Sequence, residues 1–167
     1  MKIKPIILIF FFYISCFASC SSPSVSNSIG IIPKNFIVAL APSGGVLAEA
    51  IGIELFNRGY QVFDTKEFSN MMIRYNMTEI ELAKPDNLNK LRDMGINAIL
   101  TVKSVTGYDG KPQSASVRIN STNNWKVIAG VSWNNGWGGR AGSIADRTMR
   151  VDISGAASQI VNQLVER

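Results

Sequence analysis

Few side chains in this sequence could do chemistry, and the ones missing decide as much as the ones present. The 167 residues include no histidine and two cysteines, Cys16 and Cys20. Without histidine there is no Ser-His-Asp or Cys-His arrangement, no usual general base and no imidazole ligand for zinc. The acids Glu79, Glu81 and Asp86 lie close together in sequence and could form a catalytic carboxylate pair. Such a pair needs an apolar pocket that raises one of the two pKa values, and this stretch offers none. Acids at the starts of helices are explained by the macrodipole alone. The loop Pro42-Ser43-Gly44-Gly45 could offer free backbone N–H groups to an anion at a helix start. It has neither the Walker lysine nor the GxGxxG spacing, so a plain turn with Ser43 as the cap is the simpler reading. No catalytic residue, metal site or cofactor is expected, and a hydrolase would need a Ser-Lys or carboxylate site that the residues do not supply.

The one reactive position with a sequence context of its own is Cys20. Lys2 and Lys4 precede Ile6 to Ile14, nine apolar residues, which fits a signal-peptide core of about 7 to 15 residues and is too short to span a bilayer. Phe17-Ala18-Ser19-Cys20 follows. This order resembles a bacterial lipoprotein signal, in which the cysteine is lipidated and becomes the first mature residue. Phe17 stands where such signals usually carry leucine. Cys16 is a weaker candidate because bulky Tyr13 and Ile14 precede it, and an ordinary signal peptide with an incidental cysteine is the bland alternative.

Processing before Cys20 would leave 148 residues, enough for one domain with a real core. Loss of Lys2 and Lys4 takes the formal charge from +5 to +3. That permits a weak attraction to anionic surfaces and gives no support to nucleic-acid binding. With one cysteine left, already alkylated, no disulfide can form within the chain. Three segments are therefore expected: a signal peptide over 1–19, a lipidated N-terminus and small, polar tether over 20–34, and a single periplasmic domain over 35–167.

The elements that would position any site follow from periodicity. Phe36 to Ala41 reads as a buried strand, and Leu47, Ala50, Ile51 and Leu55 form a helical stripe ended by Gly59. Tyr60 to Phe63 is a second strand. Asp64-Thr65-Lys66-Glu67 is a capping box opening a helix with Phe68, Met71, Met72 and Tyr75 on one face, a core stripe rather than a cofactor box. Thr78 to Glu81 repeats the capping pattern, and Asp86 is expected to cap a helix carrying Leu88, Leu91 and Met94. Ile96 to Val105 starts a meander that turns at Asp109-Gly110 and again at 121–124. Its second strand alternates at Ala115, Val117 and Ile119, and its third at Trp125, Val127, Ala129 and Val131. Behind Asp152, Ile153, Ala156, Ala157, Ile160, Val161 and Leu164 form a last helical stripe. The order β-α-β-α-α-β-β-β-α predicts an α/β fold, a mixed sheet flanked by helices.

Residues 36–42 (Phe-Ile-Val-Ala-Leu-Ala-Pro), Gly44-Gly45, Asn57 to Val62 and Leu91 to Leu100 resemble the TolB N-terminal/CsgG-like periplasmic domain family, which includes PelC-, LpoB- and FlgO-like lipoproteins. The resemblance covers about residues 36–132 and extends to the final helix. It implies an α/β sandwich on an outer-membrane lipid anchor, facing the periplasm. The implied role is a structural or accessory subunit of an export, flagellar or surface-polymer assembly, with envelope protein partners and, in some members, a ring-shaped homo-oligomer. The alternative is a regulatory lipoprotein that binds and activates a peptidoglycan synthase. The sequence departs from the family at Asn123-Asn124, in place of its usual turn, and its short loops leave no room for membrane-spanning hairpins.

One stretch stands apart, Trp133-Asn134-Asn135-Gly136-Trp137-Gly138-Gly139-Arg140-Ala141-Gly142. Tryptophan and arginine dominate contact energetics and also settle at membrane interfaces. Trp133, Trp137 and Arg140 are therefore the candidate partner- or membrane-contact residues. The competing reading has Trp133 end a strand facing the core, with Trp137 folded back over it.

Overall fold

The computed structural model describes residues 25–136 and 143–165. Six strands form one sheet: β1 Val25–Ile29, β2 Ile37–Leu40, β3 Gln61–Phe63, β4 Ala98–Thr106, β5 Pro112–Ser121 and β6 Val127–Asn134. The spatial order is β1-β6-β5-β4-β2-β3. β2 runs parallel to both β3 and β4, and the pairs β4–β5, β5–β6 and β6–β1 are antiparallel. The expected mixed α/β architecture is therefore present, with helices on both faces.

Five helices accompany the sheet: α1 Gly45–Asn57, α2 Thr65–Arg74, α3 Pro85–Asp93, α4 Ile144–Met149 and α5 Ile153–Val165. Leu47, Ile51 and Leu55 of α1 and Ala156, Ile160, Val161 and Leu164 of α5 bury against Val38, Leu40, Leu100, Val117, Ile119 and Val131 on one sheet face. On the opposite face, Phe68, Met71 and Met72 of α2 and Leu88 and Leu91 of α3 pack on Ala39 and Ile99. Each large apolar side chain so buried contributes about 1.5–3 kcal/mol. Asp64 caps α2 as its pattern requires, accepting from the Glu67 N–H at 2.7 Å. Asp152 likewise accepts from the Gly155 N–H at 2.7 Å.

Four expectations need correction. The tether does not run to residue 34. Residues 25–29 form β1, which satisfies the edge of β6 that would otherwise be unpaired, and Ile32 is buried with its N–H donating to the Leu164 carbonyl at 2.9 Å. Between them Gly30 has a φ of +73°, and a Cβ there would come within 1.9 Å of the Ile128 carbonyl oxygen, so only glycine fits this crossing. The element order gains α4 as well as β1. Asp86 is not a cap: Lys84 holds that position, Pro85 fills the first turn where its missing N–H is harmless, and Asp86 adds first-turn charge.

The fourth correction concerns the strand at Trp125. The pairing of β5 with β6 shifts between Ile119 and Asn120, which face Ala129 and Val127, so Ile128 is the extra residue of a bulge. That extra residue resets the alternation and leaves Val127 exposed. Trp125 sits in the turn at φ +59° and packs against the α2 and α3 side of the sheet.

Candidate functional site

Trp133 is fully buried at 0% exposure, and its indole N–H donates to Gln159 Oε1 on α5 at 2.8 Å. Its place on β6 puts it on the same face as Ala129 and Val131, where α1 and α5 cover the sheet. Trp133 is thus a core residue, and its assignment as a contact side chain is withdrawn: a ring without accessible surface cannot meet a partner or lipid. Cys20, Trp137 and Arg140 lie outside the described residues.

The segment that carries Trp137 and Arg140 nevertheless has a well-defined base. Asn135, 6% exposed, accepts from the Val151 N–H at 3.0 Å and donates to the Val151 carbonyl at 2.8 Å. Its amide also donates to the Pro112 carbonyl at 2.8 Å, and its own backbone N–H donates to the Gln113 carbonyl at the same distance. Asn135 and Val151, which flank residues 136–150, are thereby held side by side.

The β4–β5 turn is fastened to the far end of that segment. Lys111 donates through Nζ to the Arg150 carbonyl at 3.0 Å, Arg150 Nη1 stands 3.7 Å from Asp109 Oδ1, and the guanidinium lies 5.9 Å from the centre of the Tyr108 ring. Both partners of the Arg150–Asp109 pair are largely buried. Around this fastening Tyr108, Met149 and Ile144 are exposed at 59%, 56% and 84%. Periodicity could not single them out, because they lie on a turn and a six-residue helix. The signal available was an aromatic residue inside Gly107-Tyr108-Asp109-Gly110, where a turn needs only small and polar residues.

The acids and the glycine loop come together in a way neither predicted alone. The Glu79 carboxylate accepts from the Ser43 N–H at 3.2 Å and from the Ser43 hydroxyl at 2.5 Å. Ser43 is therefore no side-chain cap of α1, and the anion position ahead of that helix is filled by the chain's own carboxylate. Glu81 is held below the usual carboxylate range, first by its hydrogen bond from Lys84 and then by one from Thr78. Both acids are half-buried, and Asp86 reaches neither by a hydrogen bond among the described residues.

Burial raises the Tyr60 hydroxyl above its ordinary pKa, an effect partly offset by the nearby Arg58 charge, and that hydroxyl donates to the Ile32 carbonyl at 3.1 Å. Among the described residues no group of three or more His, Cys, Asp or Glu side chains could hold a metal ion. No helix among them is long and apolar enough to cross a membrane. Open depressions are found among the described residues. One of about 440 Å3 lies beside α2, lined by Phe63, Glu67, Arg74, Tyr75 and Met94, and one of about 180 Å3 lies between α1 and β3, lined by Gly52, Ile53, Phe56 and Val62.

No protein-family model and no curated protein matches the sequence. Among solved structures, the chain is similar to PelC from Paraburkholderia phytofirmans, a dodecamer in two crystal forms. Each match has a TM-score of 0.50 at 13% identity and covers 87% of this chain; they cover 100% and 99% of the respective PelC chains. It is also similar to lipoprotein GNA1162 from Neisseria meningitidis, at a TM-score of 0.47 and 20% identity over 80% of this chain and 100% of that one. At these identities the likeness to PelC is one of fold.

Proposed function

We propose that this protein is a lipid-anchored lipoprotein on the periplasmic face of an outer membrane, of the TolB N-terminal/CsgG-like kind, which works by binding and assembling rather than by chemistry. Its role is that of a structural or accessory subunit in an envelope assembly for export, flagella or surface polymers, as a ring of identical copies. The observation that carries this reading is the PelC-like fold over 87% of the chain, joined to a sequence whose Cys20 follows a lipoprotein-type signal. The absence of histidine from the whole sequence supports binding over hydrolysis. Several acyl chains on Cys20 would make anchoring effectively permanent, where one would bind only marginally.

Labelling cells with a palmitate analogue and sizing the detergent-solubilised protein tests the two halves separately. Label lost in Cys20→Ser and a particle many times the monomer mass are the expected results. A labelled monomer would favour the alternative, a regulator that docks on a peptidoglycan synthase. Trp137 and Arg140 are the proposed contact residues of the 136–150 loop, and Trp137→Ala leaving both assembly and membrane fractionation unchanged would remove that assignment.

A further inference from the structure

The strand register assigns a direction to the anchored protein. Val25 opposes Trp133, Trp133 opposes Ala115, and Ala115 opposes Ser104, so the chain enters β1 at the level of Ser104 on β4. That is the end of the sheet where the β4–β5 turn projects: β2 stops at Leu40 opposite Leu100, and β4 runs on beyond it to Thr106, paired with β5. The base of the 136–150 loop, Asn135, stands at the same end.

The lengths then leave little choice. Five residue steps separate Cys20 from Val25, a reach of at most about 17 Å when fully extended. The turn at Gly107 already stands about 10 Å beyond the level of Ser104, at roughly 3.4 Å per residue. A lipidated Cys20 thus cannot hold the bilayer more than about 7 Å clear of the turn, roughly the length of one side chain. What the protein shows on that side is exposed Tyr108 against the Arg150 guanidinium, with Lys111 bound to the Arg150 carbonyl; exposed Met149 and Ile144 are the last and first residues of α4, the short helix that leads into Arg150. Aromatic rings and long basic side chains are the residues that settle at the headgroup level.

We propose that the pole formed by the 107–111 turn and α4 lies on the bilayer, with Tyr108 and Ile144 at the lipid headgroups and the 121–126 turn pointing away from the membrane. This rests on anchoring at Cys20. The occupant is the lipid surface itself, because the anchor brings that surface to this pole whatever else binds elsewhere.

After processing at Cys20 the mature chain has no other cysteine, so an introduced thiol labels at one position. The full-length lipidated protein carrying Tyr108→Cys, Ile144→Cys or Asn123→Cys is labelled with a nitrobenzoxadiazole fluorophore. It is then incorporated in phosphatidylethanolamine/phosphatidylglycerol vesicles containing a headgroup-nitroxide lipid. Asn123 is exposed on the far turn, about 30 Å away along β5. The labels at 108 and 144 should lose roughly half of their emission or more to the lipid quencher, and the label at 123 almost none. Equal, slight quenching at all three positions in protein that floats with the vesicles would overturn the orientation and leave anchoring intact. Labels at 108 and 144 shielded from aqueous iodide yet untouched by the lipid quencher would place protein there instead, and would also overturn it. Failure of the lipidated protein to float would bring down the anchoring reading and the orientation together.

Discussion

The Asn135 carboxamide grips Val151 by both of its backbone groups, taking the N–H at 3.0 Å and giving to the carbonyl at 2.8 Å. One side chain thereby joins, by two hydrogen bonds, the residues on either side of 136–150. Asn135→Ala should cost about 2–4 kcal/mol, since it leaves the half-buried Val151 N–H and the buried Pro112 carbonyl without their partner. Asn135→Asp should cost at least as much, because a carboxylate would face two carbonyl oxygens. Urea unfolding midpoints of the two variants check this, and a change below about 1 kcal/mol in both would show that the grip is dispensable.

Trp133 tests the core against the surface. Trp133→Ala should destabilise by about 3–5 kcal/mol, whereas Trp133→Phe, which keeps most of the ring and gives up only the bond to Gln159, should cost about 1–2 kcal/mol. A contact residue would behave in the opposite way, with little change in the unfolding midpoint and a loss of assembly. Thermal unfolding alongside particle sizing separates the two.

Gly30 is held at φ +73° against the Ile128 carbonyl, and Gly30→Ala should cost about 2 kcal/mol or more through strain and backbone displacement. The loss should be local, showing as faster amide hydrogen exchange along β6 from Gly130 to Trp133, where β1 pairs. Unchanged protection there would mean that β1 does not depend on this crossing.

Tyr60 makes an alkaline prediction. Its pKa is raised in the folded state by burial, so its contribution is complete below about pH 10, the unfolded value, and is lost as pH rises through the higher folded value. Tyr60→Phe removes the hydroxyl that donates to Ile32, costing about 1 kcal/mol at neutral pH, and should flatten the decline in stability above about pH 10. Denaturant midpoints between about pH 8 and pH 11 measure both effects, and parallel declines in the two proteins would assign the alkaline loss to another group.

Helix faces were legible because their period repeats over several turns: Leu47, Ile51 and Leu55, or Ile160, Val161 and Leu164, state their burial outright. The capping residues Asp64 and Asp152 were equally plain, since a side-chain oxygen before a helix has one obvious use. β1 was hidden because Val25 to Ile29 reads as a polar linker. What makes it a strand is the open edge of β6, a partner about a hundred residues away in sequence that no local pattern announces. Val127 was misread because one bulged residue inverts an alternation, and a bulge leaves no mark when both neighbours are apolar. The candidate contact site was legible only in part. The Trp/Gly composition singled out a stretch whose Trp133 is a core residue and whose Trp137 and Arg140 lie outside the described residues, and the Asn135 grip joins residues whose side chains carry no shared signal.

The pairing of β1 with β6 has a mechanical consequence. Tension on the chain ahead of Val25 enters along the axis of β1, roughly at right angles to the hydrogen bonds that join it to β6. The load is therefore shared across the ladder in shear rather than opening it one bond at a time, and Gly30 and Ile32 stand behind it as a second hold. A domain tied down at this strand would yield as a unit under pulling, resisting a steady tug far better than the same few bonds would if peeled.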